Sequence, residues 1–319
     1  MNVNELVKKN KIIFGPINSR RFGISLGVDL SPSIKQCNFD CLYCELAPMQ
    51  TVSMQSSVVE ITDIVLELQE HLDTKIDVIT FTANGEPTLY PHLEELIREV
   101  NLIKGDIQTL ILTNSATLVD QNVFDTLLQL DQVKLSLDAI SPDVFKKIDR
   151  PHNSIKIEEV VQKVIEFSQT YKGKLFIEVL FVRTINDTKE ELELLNNVLT
   201  QLQAYRIDLG TIDRPPAYPV EGISYGELFE ISLKLDSSLP IHIASRVHAE
   251  PNNKYYSKEE IMNTLDKRPL TKEDIDLLFD DVTMKEFASL LDDGEIVIKT
   301  VGNLEFYLPS KNEERKLKK

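Results

Sequence analysis

The sequence has no tryptophan, five histidines and three cysteines in 319 residues. No apolar run approaches the roughly 18 residues that a membrane-spanning helix needs. The opening stretch, MNVNELVKKNKIIFG, has no apolar core followed by a small-residue cleavage site, so no secretory signal is expected. Three thiols are too few for a disulfide-stapled secreted domain. Together these absences set the reducing cytoplasm as the expected location. Basic residues are also scarce, with 35 Lys and Arg against 51 Asp and Glu, a formal net charge of −16. A surface so acidic repels a phosphate backbone unless its basic groups gather in one patch, which weighs against nucleic acid and against DNA in particular.

What is present is a repeated alternation. Residues 22–31 (FGISLGVDLS) read as a strand, and 58–72 (VVEITDIVLELQEHL) carry a helical apolar stripe. IDVITFT (76–82) is a short β-branched apolar run of the kind that suits a buried parallel strand. PHLEELIREVNLI follows as a helix with Pro91 in its first turn. Strands at 109–113, 132–138, 174–183 and 205–213 then alternate with helical patterns as far as SYGELFEISLKL. Six βα units in succession predict an α/β fold, a parallel sheet flanked by helices, and the length through residue 250 suits a partial (β/α)6 TIM-like barrel.

After PNNK (251–254), a turn-rich linker, the pattern changes. SKEE (257–260), TKED (271–274) and TMKE (283–286) each resemble a capping box, predicting three short helices. IVIKT and LEFYL flank Gly302-Asn303, a hairpin signal. The expected division is therefore a barrel over 1–250, a small C-terminal winged-helix-like domain over 255–310 and a flexible basic tail over 311–319. From 257 to 310 there are six basic and thirteen acidic residues, 6 − 13 = −7, a poor DNA reader.

All three thiols fall within CNFDCLYC, as Cys37, Cys41 and Cys44. Three thiolates hold an iron–sulfur cluster or, with a fourth ligand, a zinc ion. A zinc site would draw that ligand from His71, His92, His152, His242, His248 or a carboxylate. A cubane held by three cysteines leaves one iron open to a small chelating molecule.

C-x3-C-x2-C with Tyr43 before the last cysteine, placed after the first strand of a βα array, resembles the signature of the radical S-adenosylmethionine enzymes. That resemblance implies one [4Fe–4S] cluster whose open iron takes S-adenosyl-L-methionine, and reductive cleavage to a 5′-deoxyadenosyl radical that abstracts hydrogen from substrate. It also implies a low-potential donor of the flavodoxin or ferredoxin type, with Arg20, Arg21 and Lys35 offered as its basic landing patch. Gly85 and Glu86 in NGEPT resemble the family's element that contacts the methionine amino group. Asn114, Ser136 and Asp138 stand at strand ends where the family contacts the methionine carboxylate and the ribose, and the resemblance places Tyr43 among the cofactor-binding residues too. Arg183, at the end of the fifth βα strand, has a fork suited to a carboxylate.

FGPINSRRFGISLGVDLSPSIKQCNFDCLYCE, NGEPTLYPHL and the late DRPP are similar to a group related to the wyosine tRNA-modifying synthases. This chain departs from those synthases in having no cysteines for a second cluster, and from the generally basic tRNA-modifying relatives in its acidity. The resemblance therefore implies cofactor chemistry and leaves the substrate open among small molecule, protein and RNA. The rival expectation from a different class is a cluster- or zinc-binding regulator with a winged-helix tail.

Overall fold

The computed structural model describes residues 12–19, 21–243, 255–267, 269–301 and 304–311. Arg20, the 251–254 linker, the Gly302-Asn303 turn and the tail from 312 onward lie outside the described residues.

Eight strands form one sheet in sequential order. β1 (Ile13–Ser19) is antiparallel to β2 (Gly23–Asp29). From β2 onward every pairing is parallel, through β3 (Val78–Thr82), β4 (Gln108–Thr113), β5 (Gln132–Ser136), β6 (Lys174–Phe181), β7 (Arg206–Thr211) and β8 (Ile241–Ile243). Helices α1 (Ile61–Gln69), α2 (Leu93–Ile103), α3 (Gln121–Leu127), α4 (Pro142–Ile148), α5 (Ile157–Thr170), α6 (Lys189–Leu199) and α7 (Tyr225–Ser232) make the crossovers. This is the expected partial (β/α) barrel, with β1 and β8 as its edges.

The apolar stripes explain the arrangement. Ile64 and Leu68 of α1, Leu96, Ile97 and Val100 of α2, and Val164 and Phe167 of α5 are fully buried. They share one core with Ile79, Phe81, Ile111, Val133, Leu135, Ile177 and Val179 of the strands. Each such side chain contributes about 1.5–3 kcal/mol by leaving water. Side-chain caps start several helices: Asp120 accepts from the Asn122 amide at α3, Thr188 from Glu191 at α6, and Ser224 with Glu227 forms a capping box at α7.

A second, smaller core lies beyond residue 255. It contains α8 (Lys258–Lys267), β9 (Leu270–Thr271), α9 (Lys272–Leu278), α10 (Asp281–Asp292), β10 (Ile296–Val301) and β11 (Leu304–Pro309), the three strands forming an antiparallel sheet ordered β10-β11-β9. Ile261, Leu265, Phe279, Phe287 and Leu290 pack here together with Ile17 of β1, and the Tyr256 hydroxyl donates to the Pro16 carbonyl at 2.9 Å. β1 thus serves both cores.

Several local expectations change. β1 and β8 carry no βα signal and were not anticipated from periodicity. Pro91 lies ahead of α2, whose N-cap is His92. SKEE does form a capping box, with Ser257 and Glu260 bonded reciprocally. TMKE does not. Asp280 caps α10 by accepting from the Thr283 amide, and the buried Thr283 hydroxyl oxygen instead accepts from the Tyr256 amide at 2.8 Å. Among the described residues, no helix is long and apolar enough to cross a membrane.

Candidate functional site

The cysteine loop leaves the carboxyl end of β2 and is tied down on three sides. Buried Asp29 accepts from the Ser31 and Asn84 amides at 3.0 and 3.1 Å, joining the ends of β2 and β3. Gln36 then bridges to the β3 loop: its amide donates to the Asn84 carbonyl at 2.8 Å, and its carbonyl accepts from the Glu86 amide at 2.9 Å. Gly85 makes that approach possible. Its φ is +136°, and a Cβ there would sit 1.9 Å from the Gln36 carbonyl oxygen. The Gln36 side chain accepts from the Ser56 and Ser57 amides and donates to Ser31 Oγ, holding the far end of the loop. On the second side the Asp40 and Leu42 amides donate to the Asp149 and Ile148 carbonyls at the end of α4. On the third the Ala217 amide, past β7, donates to the Cys44 carbonyl at 2.8 Å.

The three thiols are free and half-buried. Donors surround them. The Phe39 amide lies 3.4 Å and Asn114 Nδ2 3.8 Å from Cys37 Sγ, and Lys35 Nζ lies 3.6 Å from Cys44 Sγ. Cys41 donates to Asp149 Oδ1 at 3.4 Å. Burial, with the Glu86 carboxylate adding, pushes the Cys37 thiol up to about 12. Burial also raises Cys41, helped by Asp149, and raises Cys44 against the opposing pull of Lys35. Such thiols need a bound cation to ionise, and hydrogen bonds to sulfur are how proteins tune iron–sulfur clusters. The donor set therefore fits a cluster.

Four of the expected cosubstrate residues come together. Tyr43, Asn114, Ser136 and Asp138 line one small void of about 10 Å³ with Asp149. The Tyr43 hydroxyl donates to Asp138 Oδ2, and the Leu180 amide to Asp138 Oδ1 at 2.7 Å. Burial pushes the Asp138 carboxyl up to about 7 against those two bonds. Tyr43 also lines a cavity of about 530 Å³ inside the barrel, beside Cys44.

Glu86 is held within the protein. It is 2% exposed and accepts four hydrogen bonds, from the Thr88 amide and hydroxyl, the Thr113 hydroxyl and the Asn114 amide. That carboxylate ties the loop after β3 to the end of β4. Arg183 lies outside all three described cavities. Its fork is engaged by Glu227 at 2.7 Å through both Nη atoms, stapling the end of β6 to α7. The basic landing patch is also corrected. Arg21 points into the barrel toward Glu178, and Lys35 turns inward to Cys44 and Asp40, because each finds a buried acid or sulfur there.

Sequence reasoning missed Lys134, Glu178 and Asp208, which face the barrel interior. The signal was a charged residue within each apolar strand, QVKLS, KLFIEVLF and RIDLGT, where a parallel sheet buries both faces.

A thiol-bearing loop at the carboxyl ends of the strands of an open (β/α) barrel defines a class. The Radical SAM superfamily profile matches residues 31–195, and the chain belongs to that superfamily. Within it, the chain is 39% identical over 307 residues to a UPF0026 protein of Helicobacter pylori, covering 95% of this chain and 99% of that one. A GTP 3′,8-cyclase of Chlorobaculum tepidum is 32% identical over 171 residues, 52% of this chain and 48% of that one. The fold is similar to that of a radical SAM methyltransferase from Sphaerobacter thermophilus, with TM-score 0.55, 15% identity, and 69% and 65% of the two chains covered. The chain is accordingly an enzyme whose cofactors are a [4Fe–4S] cluster and S-adenosylmethionine, and it requires a reductant and a substrate.

Proposed function

We propose that this protein is a single-cluster radical S-adenosylmethionine enzyme of the cytoplasm, with Cys37, Cys41 and Cys44 as the three protein ligands. The observation that carries the reading is placement. The chain's only cysteines sit on a loop clamped to the ends of β3, α4 and β7, beside a 530 Å³ cavity inside the barrel. When bound, the cluster supplies the electron that cleaves S-adenosylmethionine to a 5′-deoxyadenosyl radical able to abstract hydrogen from substrate.

The chain's own residues do the holding and shielding. Gly85 lets the β3 loop close on Gln36. Tyr43, Asn114, Ser136 and Asp138 form the polar wall beside the cosubstrate. Asn114 and Lys35 donate toward the cysteine sulfurs. The electron donor is a low-potential flavodoxin or ferredoxin. The winged-helix-like unit, with its excess of acids, serves as a packing or protein-contact element. The tRNA-modifying reading gains no support from charge, since the whole chain carries −16.

The test is anaerobic reconstitution followed by metal analysis and product chromatography. About four irons with matching sulfide per chain, and 5′-deoxyadenosine on reduction with S-adenosylmethionine, are expected. About one zinc without sulfide, or a fully loaded reduced cluster that yields no 5′-deoxyadenosine, overturns the reading.

A further inference from the structure

The floor of the barrel cavity is built around one carboxylate. Arg21, in the turn between β1 and β2, enters from the amino ends of the strands, and its Nη1 lies 2.5 Å from Glu178 Oε1 in mid β6. Lys134 Nζ on β5 lies 2.5 Å from the same oxygen. Two cations therefore share one carboxylate oxygen, and the group carries a net +1. The next acid is already engaged: fully buried Asp208 lies 3.6 Å from Arg21 but is forked by Arg206 at 2.7 and 3.1 Å, with His242 Nδ1 at 3.2 Å. A guanidinium has five N–H groups. In Arg21 only Nη1 makes a hydrogen bond among the described residues, leaving Nε and Nη2 without an acceptor.

Toward the mouth the excess positive charge is gone. There Arg214 pairs with Glu45 at 2.5 Å, and Glu45 Oε2 has no partner among the described residues. One cavity thus runs from a positive floor to a paired Arg214 and Glu45 beside Cys44, in a chain that is otherwise strongly acidic.

We propose that the substrate is a small molecule bearing an oxyanion, a carboxylate or phosphate, and that this group seats on Arg21 and Lys134 at the cavity floor. The inference rests on the enzyme reading above and names its substrate class. An apolar substrate would bury these charges with no hydrogen bonds in return, at a cost of several kcal/mol. An oxyanion supplies acceptors for the spare N–H groups and offsets the excess charge in a space where screening is weak. Anchoring one end there directs the other end toward the cysteine loop, the positioning that hydrogen abstraction requires.

The test is titration calorimetry on the anaerobically reconstituted holoprotein at low ionic strength, with inorganic phosphate, succinate and the neutral diamide succinamide. Binding of phosphate or succinate but not succinamide is expected, and the tighter anion tells phosphate from carboxylate. Lys134→Met should weaken that binding about tenfold or more. Glu178→Gln removes the competing carboxylate and should tighten it severalfold. A purely structural triad predicts no gain in Glu178→Gln. No binding of either anion, equal binding of succinamide, or no tightening in Glu178→Gln overturns the proposal. If either variant fails to fold, the wild-type contrast between succinate and succinamide decides alone. Formation of 5′-deoxyadenosine by a protein that binds neither anion sinks this proposal and leaves the enzyme reading standing. Anion binding without 5′-deoxyadenosine does the reverse.

Discussion

Replacing Gly85 by alanine should detach the cysteine loop from the barrel. The Cβ would lie 1.9 Å from the Gln36 carbonyl oxygen and 2.4 Å from its carbon, both backbone atoms that cannot swing aside. Ordinary contact begins near 3.4 Å, so Gln36 must retreat by roughly 3.4 − 1.9 = 1.5 Å. That shift breaks the bonds from Gln36 to Asn84 and from Glu86 to Gln36, now 2.8 and 2.9 Å. Each lost bond costs about 1 kcal/mol, more where the freed group stays buried. A non-glycine residue at φ +136° adds about 1–3 kcal/mol of strain. The sum is roughly 3–5 kcal/mol, a large share of the ~5–15 kcal/mol that holds a typical protein. Gly105→Ala is the matched control. Its φ is also positive, +56°, but nothing lies within 4 Å of the added Cβ, so only about 1 kcal/mol of strain is expected. Urea unfolding of the two apoproteins gives the difference, and iron analysis after reconstitution gives the consequence. If Gly85→Ala unfolds within about 1 kcal/mol of Gly105→Ala and loads its full complement of iron, the Gln36 bridge does not hold the loop.

Two further outcomes follow from charges near the site. Lys35→Met keeps the buried stem but removes the ammonium 3.6 Å from Cys44 Sγ, and it leaves Asp40 with one cation fewer. Both changes disfavour the extra electron, so the cluster midpoint should fall by about 60 mV, equivalent to a tenfold smaller reduced fraction at fixed poise. An EPR-monitored redox titration showing an unchanged or higher midpoint removes Lys35 from the tuning shell. Glu178 supplies a pH test. Burial alone would raise its carboxyl, but Lys134 and Arg21 hold it down to about 2 in the folded chain, against an ordinary value of 4.5. Its stabilising contribution is therefore full above pH 4.5 and is lost as pH falls toward 2. Burial disfavours the charge on Lys134, so the net gain of the group is smaller than the Glu178 shift alone implies. Stability of Glu178→Gln should fall less steeply than wild type across that window in acid-unfolding curves, and parallel curves would argue against the pairing.

The βα alternation and the cysteine loop were legible in the sequence because both depend on short-range pattern. Apolar stripes such as Leu96, Ile97 and Val100 sort helix from strand, and Cys37, Cys41 and Cys44 lie within eight positions. The strand ends were legible as candidate positions too, and Asn114, Ser136 and Asp138 line one void with Tyr43 of the cysteine loop. What each polar group does was not legible. Glu86 in NGEPT gives no local sign of the four donors it accepts from, at Thr88, Thr113 and Asn114. Arg183 gives no local sign that Glu227, 44 residues on, will occupy its fork. β1 and β8 carry no period of their own and exist because sheet edges pair with them. The charges of Arg21, Lys134 and Glu178 are evenly scattered in the sequence and acquire meaning only when closure of the barrel points them at one another. Sequence alone determined that three thiolates would share one loop at the end of a strand. Tertiary structure decided which charges face the cavity beside it, because that depends on long-range packing and leaves no periodic trace.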